Sequence, residues 1–331
     1  MKVFEFESVT ESYSELLKYV LENGEEVSPR GMLTKEITPA TIVINNPRKR
    51  VIDNKVRKLN YGFMAGELLW ILQGRNDLSI THYNKQWSNY SDDGSILNGA
   101  YGQRIFRWDG HYNSQINQFL KVYEKLKKDP DSRQGTIVLF DPSKDFEDTK
   151  DVPCTNLMRF SIRNGKLNMM VTMRSNDIIY GTPYDIYNFT MLQEIMAGLL
   201  GVEVGKYTHV ADSLHLYEMH FELAEKIVNS DQDSVYDSFN VQDARLNKEK
   251  LDKTLDEVFK VENLTRENID IVSIEDIQKS LNNIQNEYWR SIAALTAVYN
   301  FKKGKRSKEE LAILKKYITN EFSKLESVQN W

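Results

Sequence analysis

The sequence predicts an α+β core followed by a mostly helical C-terminal extension. Three observations predict it. β-Rich runs bounded by turn residues gather in the middle of the chain, buried-helix patterns flank them, and from about residue 221 onward the sequence is mostly polar helix. The chain has 331 residues, 40% hydrophobic and 27% charged, enough apolar material for a sizeable core in one large domain or two ordinary ones. The predicted boundary divides residues 1–220, the core, from residues 221–331, the extension packed on it.

The elements follow in order. Tyr13, Leu16, Leu17, Val20 and Leu21 recur at helical spacing behind Thr10 and Ser14, predicting a helix over 10–23. Residues 33–45 are β-rich, and the PRKRVID that follows breaks and re-enters strand-like sequence. Residues 60–73 are apolar nearly all round, as in a buried helix. Ile116, Phe119, Leu120, Tyr123 and Leu126 predict an amphipathic helix over 113–128. Segments 135–140, 157–163 and 166–174 read as strands, the last two joined by an Asn164-Gly165 hairpin turn. Residues 187–201 read as a buried helix stopped by a glycine.

Composition excludes several classes. Forty-three Lys and Arg against 48 Asp and Glu give a net charge of −5, which argues against a broad basic face for a nucleic-acid polymer. No apolar run approaches the roughly 18 residues of a membrane-spanning helix. The N-terminus carries early acids and does not read as a signal peptide. A single cysteine excludes an intrachain disulfide and a multi-cysteine metal cluster. The expectation is a cytoplasmic globular protein with neither nucleic acid nor membrane as a partner.

Three segments carry chemistry. Cys154 follows a proline at a strand entrance; it reads as a small buried hydrophobe or, with an arginine close by to lower its pKa, as a thiolate nucleophile. Arg174 and Ser175 end a strand and suit a phosphate, although Arg174 could instead pair with Asp177. Asp185 enters a buried helix beside Tyr184 and Tyr187, as a helix cap or as a hydrogen-bonding partner for a planar heterocycle. His209, His215 and His220 invite zinc, but their spacings fit no common zinc motif, so no metal is expected. His215 and Tyr217 alternate along an extended segment and share a face that suits sugar hydroxyls.

Together, Pro153-Cys154, Arg174-Ser175-Asn176-Asp177, Gly181-Thr182-Pro183-Tyr184-Asp185-Ile186 and His215-Leu216-Tyr217 resemble the nucleotide site of the thymidylate synthase superfamily. Glu67-Leu68-Leu69-Trp70 with Gly74 resembles that family's catalytic-glutamate helix, Gln86-Trp87 its folate-contacting segment, and Tyr101-Gly102 its tyrosine-glycine turn. Arg133 resembles the arginine that each subunit lends to its partner. The match runs from about residue 28 to about 220, in order and with similar spacing.

The resemblance implies a mixed β-sheet packed with helices, a homodimer, a pyrimidine nucleoside monophosphate as substrate and 5,10-methylenetetrahydrofolate as co-substrate. It implies catalytic roles for Cys154, Glu67, Tyr101 and Asp185. Arg30, Arg133, Arg174 and Ser175 would bind substrate with Asp185, His215 and Tyr217. Trp87, Asp177, Gly181 and Tyr184 would contact the folate. The chain departs from the family at Thr155 (usually histidine), at Gln134 (usually a second arginine) and in ending SVQNW rather than in a short apolar tail. Most informative is Asp185, where synthases acting on uracil carry asparagine. That acid complements cytosine and points to the branch of cytidylate and deoxycytidylate 5-hydroxymethylases. The other readings are a thymidylate synthase or uridylate hydroxymethylase, and, outside enzymes, an inactive nucleotide- or RNA-binding relative.

Overall fold

A computed structural model describes residues 2–110, 114–230 and 234–331, without the side chain of residue 326. Ten strands form two sheets. The larger, of six strands, is built from β1 (Lys2–Phe6), β4 (Ala40–Ile44), β5 (Thr136–Val138), β6 (Thr155–Arg163), β7 (Lys166–Met173) and β9 (Glu203–Ala211), in the order β1-β4-β9-β7-β6-β5. It is mixed: β1 with β4 and β7 with β9 run parallel, the other neighbours antiparallel. The smaller sheet orders β2 (Glu25–Val27), β3 (Thr34–Ile37), β10 (Leu214–Tyr217) and β8 (Asn176–Asp177) as β2-β3-β10-β8.

One face of the large sheet is apolar and buried, through Ile42, Ile44, Met158, Phe160, Met169, Val171 and Tyr207. Against it packs α6 (Thr182–Leu200), then α2 (Tyr61–Leu72), then α10 (Glu287–Lys303), then α8 (Lys248–Glu267). α2 and α10 have little polar surface: eleven of the twelve residues of α2 and twelve of the seventeen of α10 are buried. α10 sits so close to α2 that a Cβ on Gly62 would stand 2.4 Å from the Tyr299 ring, so only glycine fits there. α1 (Val9–Asn23) packs on β1 and on α7 (Phe221–Val228); α3 (Tyr101–Phe106) lies against α2, and α4 (Gln118–Lys128) against α6. The C-terminal helices therefore share one core with the sheet.

Several boundaries differ from the sequence expectation for local reasons. The first helix starts at Val9 because Ser8 accepts from the Glu11 N–H at 3.2 Å; Thr10 instead donates to the Val51 carbonyl at 2.9 Å. Residues 33–45 form two strands in different sheets, parted at Pro39. PRKRVID forms no strand: Arg50, Val51 and Ile52 are buried in an irregular segment. The helix expected over 113–128 begins at Gln118, capped by Asn117, because Ile116 is bridged to Trp108; residue 113 lies outside the described residues. Asn164 and Gly165 both take positive φ, 52° and 70°, as a tight right-twisted hairpin turn requires. Among the described residues no helix is long and apolar enough to cross a membrane, and no three metal-ligating side chains come together.

A buried ion pair ties the layers together. Arg50, on the irregular segment, is fully buried and paired with Glu194 of α6, with the Tyr288 hydroxyl of α10 3.4 Å away. Glu194 also accepts the Ala244 N–H at 2.9 Å and lies 3.2 Å from Arg48 Nε. Glu194→Gln leaves the Arg50 charge buried without its counter-ion; the expected loss is about 3–5 kcal/mol, read as a lower urea midpoint at unchanged slope.

Candidate active site

The β6–β7 pairing brings the candidate nucleophile and a cation together. Cys154 precedes β6 and Arg174 follows β7, and the Arg174 N–H donates to the Cys154 carbonyl at 2.9 Å. The guanidinium folds back over the 152–154 segment, with Nε on the Pro153 carbonyl at 3.1 Å, Nη2 on the Val152 carbonyl at 2.8 Å and Nη2 3.7 Å from Cys154 Sγ. It does not pair with Asp177, whose Oδ1 accepts the N–H groups of Ile179 and Tyr180 at 2.7 and 3.0 Å. Arg174 remains exposed and open to an anion, beside half-buried Ser175.

The expectation that arginine lowers the thiol pKa is corrected in its net sign. Burial is the largest influence and pushes the thiol up; Arg174 and Arg30 pull it down, and Asp185 and Asp151 push it up again. Burial wins, so the resting group is the thiol. Arg30 reaches this field from an exposed turn at Pro29–Gly31, in a left-handed conformation (φ 54°) that is strained for a residue with a side chain.

Two acids line the interior. Glu67, in the middle of α2, is 8% exposed, and burial pushes its pKa up to about 7 although Asn188 Nδ2 of α6 donates to its Oε2 at 2.7 Å. Asp185, in the first turn of α6, is held well above the usual carboxylate range by burial and then by Glu67 and Asp177, with Asn176 Nδ2 donating to its Oδ2 at 2.9 Å. Tyr101, at the start of α3, lies in the same electrostatic field as Asp185 and Cys154. Among the described residues Asp185 makes no cap hydrogen bond to the helix start; its carboxyl turns to Asn176, within the electrostatic field of the thiol.

The remaining candidates surround this centre. His215 is buried on β10, level with Asp177 of β8, and its ring meets that of Tyr217 edge-on at 5.1 Å, so the two do share a face. Half-buried Trp87 lies 6.4 Å from Trp70 of α2 and 6.1 Å from Tyr90, forming an aromatic shelf beside the glutamate helix. The Tyr184 hydroxyl accepts the Asn60 N–H at 3.3 Å, and the Gly181 N–H donates to the Asp177 carbonyl at 2.9 Å. Arg133 is exposed in the turn between α4 and β5, and no interaction joins it to Cys154 or Arg174 within the described chain.

Two contributors, Asn188 and Asp151, have no place in the sequence expectation, and a third, His209, enters it only among the histidines weighed for zinc. Asn188 holds Glu67 while its own Oδ1 is buried without a hydrogen-bond partner among the described residues. Asp151 accepts the Gly99 N–H at 2.7 Å and adds negative charge beside the thiol. His209 is buried on β9, hydrogen-bonded to Tyr207 and Asn176. Its alternation with Tyr207 and Ala211 was the available signal, since a buried imidazole on a sheet face needs partners.

A mixed sheet with a thiol, an arginine and two buried acids gathered at strand ends and helix starts defines a class. The family model for thymidylate synthase matches residues 11–273, and the chain belongs to that family. Similar to it is a deoxyuridylate hydroxymethyltransferase of Bacillus phage SP01, 41% identical over 227 residues, covering 66% of this chain. The aligned part spans 59% of that relative's length.

Glu67 carries a pH prediction. The folded pKa near 7 lies above the ordinary 4.5, so the folded chain binds more protons between those values and loses stability as pH rises through them. Glu67→Gln should remove that contribution, about 3 kcal/mol at most by pH 8, in denaturation series at several pH values. Asn188 stabilises the ionised form, so Asn188→Leu should move the Glu67-dependent limb of the rate profile to higher pH by about one unit.

Proposed function

We propose that this protein is a folate-dependent 5-hydroxymethylase of a cytosine nucleoside monophosphate, CMP or dCMP. The observation that carries the reading is Asp185, a carboxyl held well above the usual carboxylate range and with Asn176 Nδ2 donating to its Oδ2, at the position where the family's uracil enzymes carry asparagine. Such an acid accepts from the cytosine amino group and donates to N3.

The chemistry follows from the chain's own groups. Cys154 adds to carbon 6 of the pyrimidine, which makes carbon 5 nucleophilic and splits one hard step into two easier ones. Arg174 and Arg30 attract the 5′-phosphate and favour the thiolate once its proton leaves. His215 and Tyr217 face the sugar. Methylenetetrahydrofolate, the family's co-substrate, supplies the one-carbon unit, and the shelf of Trp87, Trp70 and Tyr90 suits its planar ring. Asp177, Gly181 and Tyr184 are proposed to border that ring. Glu67 titrates near neutrality and can both give and take a proton around positions 4 and 5, with Tyr101 as a further proton-handling hydroxyl. The unpartnered Asn188 Oδ1 beside Glu67 suits the O–H of a water that completes the hydroxymethyl group.

The second reading, hydroxymethylation of a uridylate, is favoured by the named activity of the phage relative. Product mass spectrometry with CMP, dCMP, UMP and dUMP, each with methylenetetrahydrofolate, separates the two. The expected product is hydroxymethylated cytidylate with tetrahydrofolate; stoichiometric dihydrofolate would instead mark methylation. Asp185→Asn should lower cytidylate kcat/KM by about two powers of ten and raise uridylate binding, the scale of a mispaired buried base edge. An unchanged preference would leave the uridylate reading in its place.

We also propose a homodimer that shares Arg133 across its interface, with residues 1–220 as the catalytic core and residues 221–331 bracing α2 through α10. The second face of the large sheet supports the dimer: Val43, Leu157, Met170 and Val210 lie there half-exposed. Mixing Arg133→Ala with Cys154→Ala subunits should restore about one working site per mixed dimer. Stable mixed dimers without activity would overturn the sharing.

A further inference from the structure

A neutral carboxylic acid is ambidextrous. It offers one donor and one acceptor, and by exchanging its proton between oxygens it can complement either cytosine or uracil. Asp185 alone therefore does not discriminate the two bases; something must decide which oxygen carries the proton.

The structure contains a buried chain of hydrogen bonds that does so. Thr182 Oγ1 lies 2.5 Å from Asn176 Oδ1, an O–H···O separation too short for an amide N–H, so the atom facing the threonine is the amide oxygen. His209 Nε2 lies 3.2 Å from the same Oδ1. An amide oxygen only accepts, so Nε2 carries the imidazole hydrogen and Nδ1 accepts from the Tyr207 hydroxyl at 2.8 Å. Burial lowers the His209 pKa to about 4, which leaves the ring neutral with a single N–H. With its oxygen held by two donors, Asn176 must turn Nδ2 toward Asp185, where it donates to Oδ2 at 2.9 Å. Oδ2 is thereby made the acceptor, and the acid's proton rests on Oδ1. Gly181 leaves the room: a Cβ there would stand 3.0 Å from Asn176 Nδ2 and 3.1 Å from Asp185 Oδ2.

We propose that Tyr207, His209, Thr182 and Asn176 form a directional hydrogen-bond relay that pins the acceptor side of Asp185 and so makes an ambidextrous acid select one pyrimidine. The inference rests on the reading that Asp185 faces the base. Cytosine is selected when Oδ2 takes the amino hydrogen and Oδ1–H points to N3. The four are positioning residues; none needs to touch the substrate.

The test is the ratio of kcat/KM for cytidylate over uridylate, measured by tritium release from the 5-tritiated nucleotides. His209→Leu and Thr182→Val each remove a donor to Asn176, and each should move the ratio toward unity by about tenfold. His209→Gln restores an N–H at the Nε2 position and should keep the ratio within about threefold of the parent. A purely structural role would lower both rates together and leave the ratio alone. Where a variant is too slow to turn over, the ratio of nucleotide dissociation constants from calorimetry replaces it. If Asp185→Asn moves the ratio but neither His209→Leu nor Thr182→Val does, the relay is overturned and the acid's role stands. If Asp185→Asn leaves it unmoved, the base-facing reading has failed, and the relay falls with it.

Discussion

The constraint on which the rest depends is the burial of α6 between the large sheet and α2, with only Tyr184 and Asp185 half-exposed from Thr182 to Ala197. A buried helix draws partners for its polar side chains from neighbouring elements, because an unpaired polar group there costs about 1–3 kcal/mol. α6 carries Asp185 in its first turn, Asn188 one turn on and Glu194 nearly two turns further. Their partners come from β8, from α2 and from the irregular segment at Arg50. Satisfying one helix thus assembles both the candidate site and the link between the layers.

The same burial sets the chemistry. Glu67 and Asp185 have higher proton affinity than carboxyls in water because the ionised form loses hydration inside. Each is tempered by one amide donor, Asn188 for Glu67 and Asn176 for Asp185. Glu67 is raised to about 7 and Asp185 is also held well above the usual carboxylate range, so both acids differ from carboxyls in water through their surroundings. The stability lost by keeping these acids uncharged is balanced elsewhere by apolar packing, including that of α10 on α2.

Much of this was legible in the chain. The apolar runs of α2 and α6 have no polar stripe, and that alone marks them as buried. The Asn164-Gly165 pair announces its hairpin, and the order of Glu67, Tyr101, Cys154, Arg174, Asp185 and His215 carries the family resemblance. Less legible was the role of residues 221–331. The largely apolar run from Ile292 to Val298 is flanked by long polar helical sequence on both sides, and packing shows α10 to be an inner layer. The mispredicted strand at PRKRVID has the same origin: Val51 and Ile52 are apolar because they are buried in an irregular segment, and a pattern of apolar residues cannot distinguish that from a strand edge.

The sequence by itself determined the family, the inventory of reactive groups and the burial of α2 and α6, because these depend on residue identity and on period along the chain. Only the tertiary structure decided the charge states. Cys154 beside Arg174 suggests a thiolate until the burial around it is known, and then it rests as a thiol. Asp185 suggests a carboxylate until Glu67, Asp177 and the surrounding burial are in place, and then its pKa is held well above the usual carboxylate range even though Asn176 donates to Oδ2. A pKa is set by the hydration a group loses and the charges it gains in three dimensions, and residues 67, 176, 185 and 209 meet only when the chain has folded.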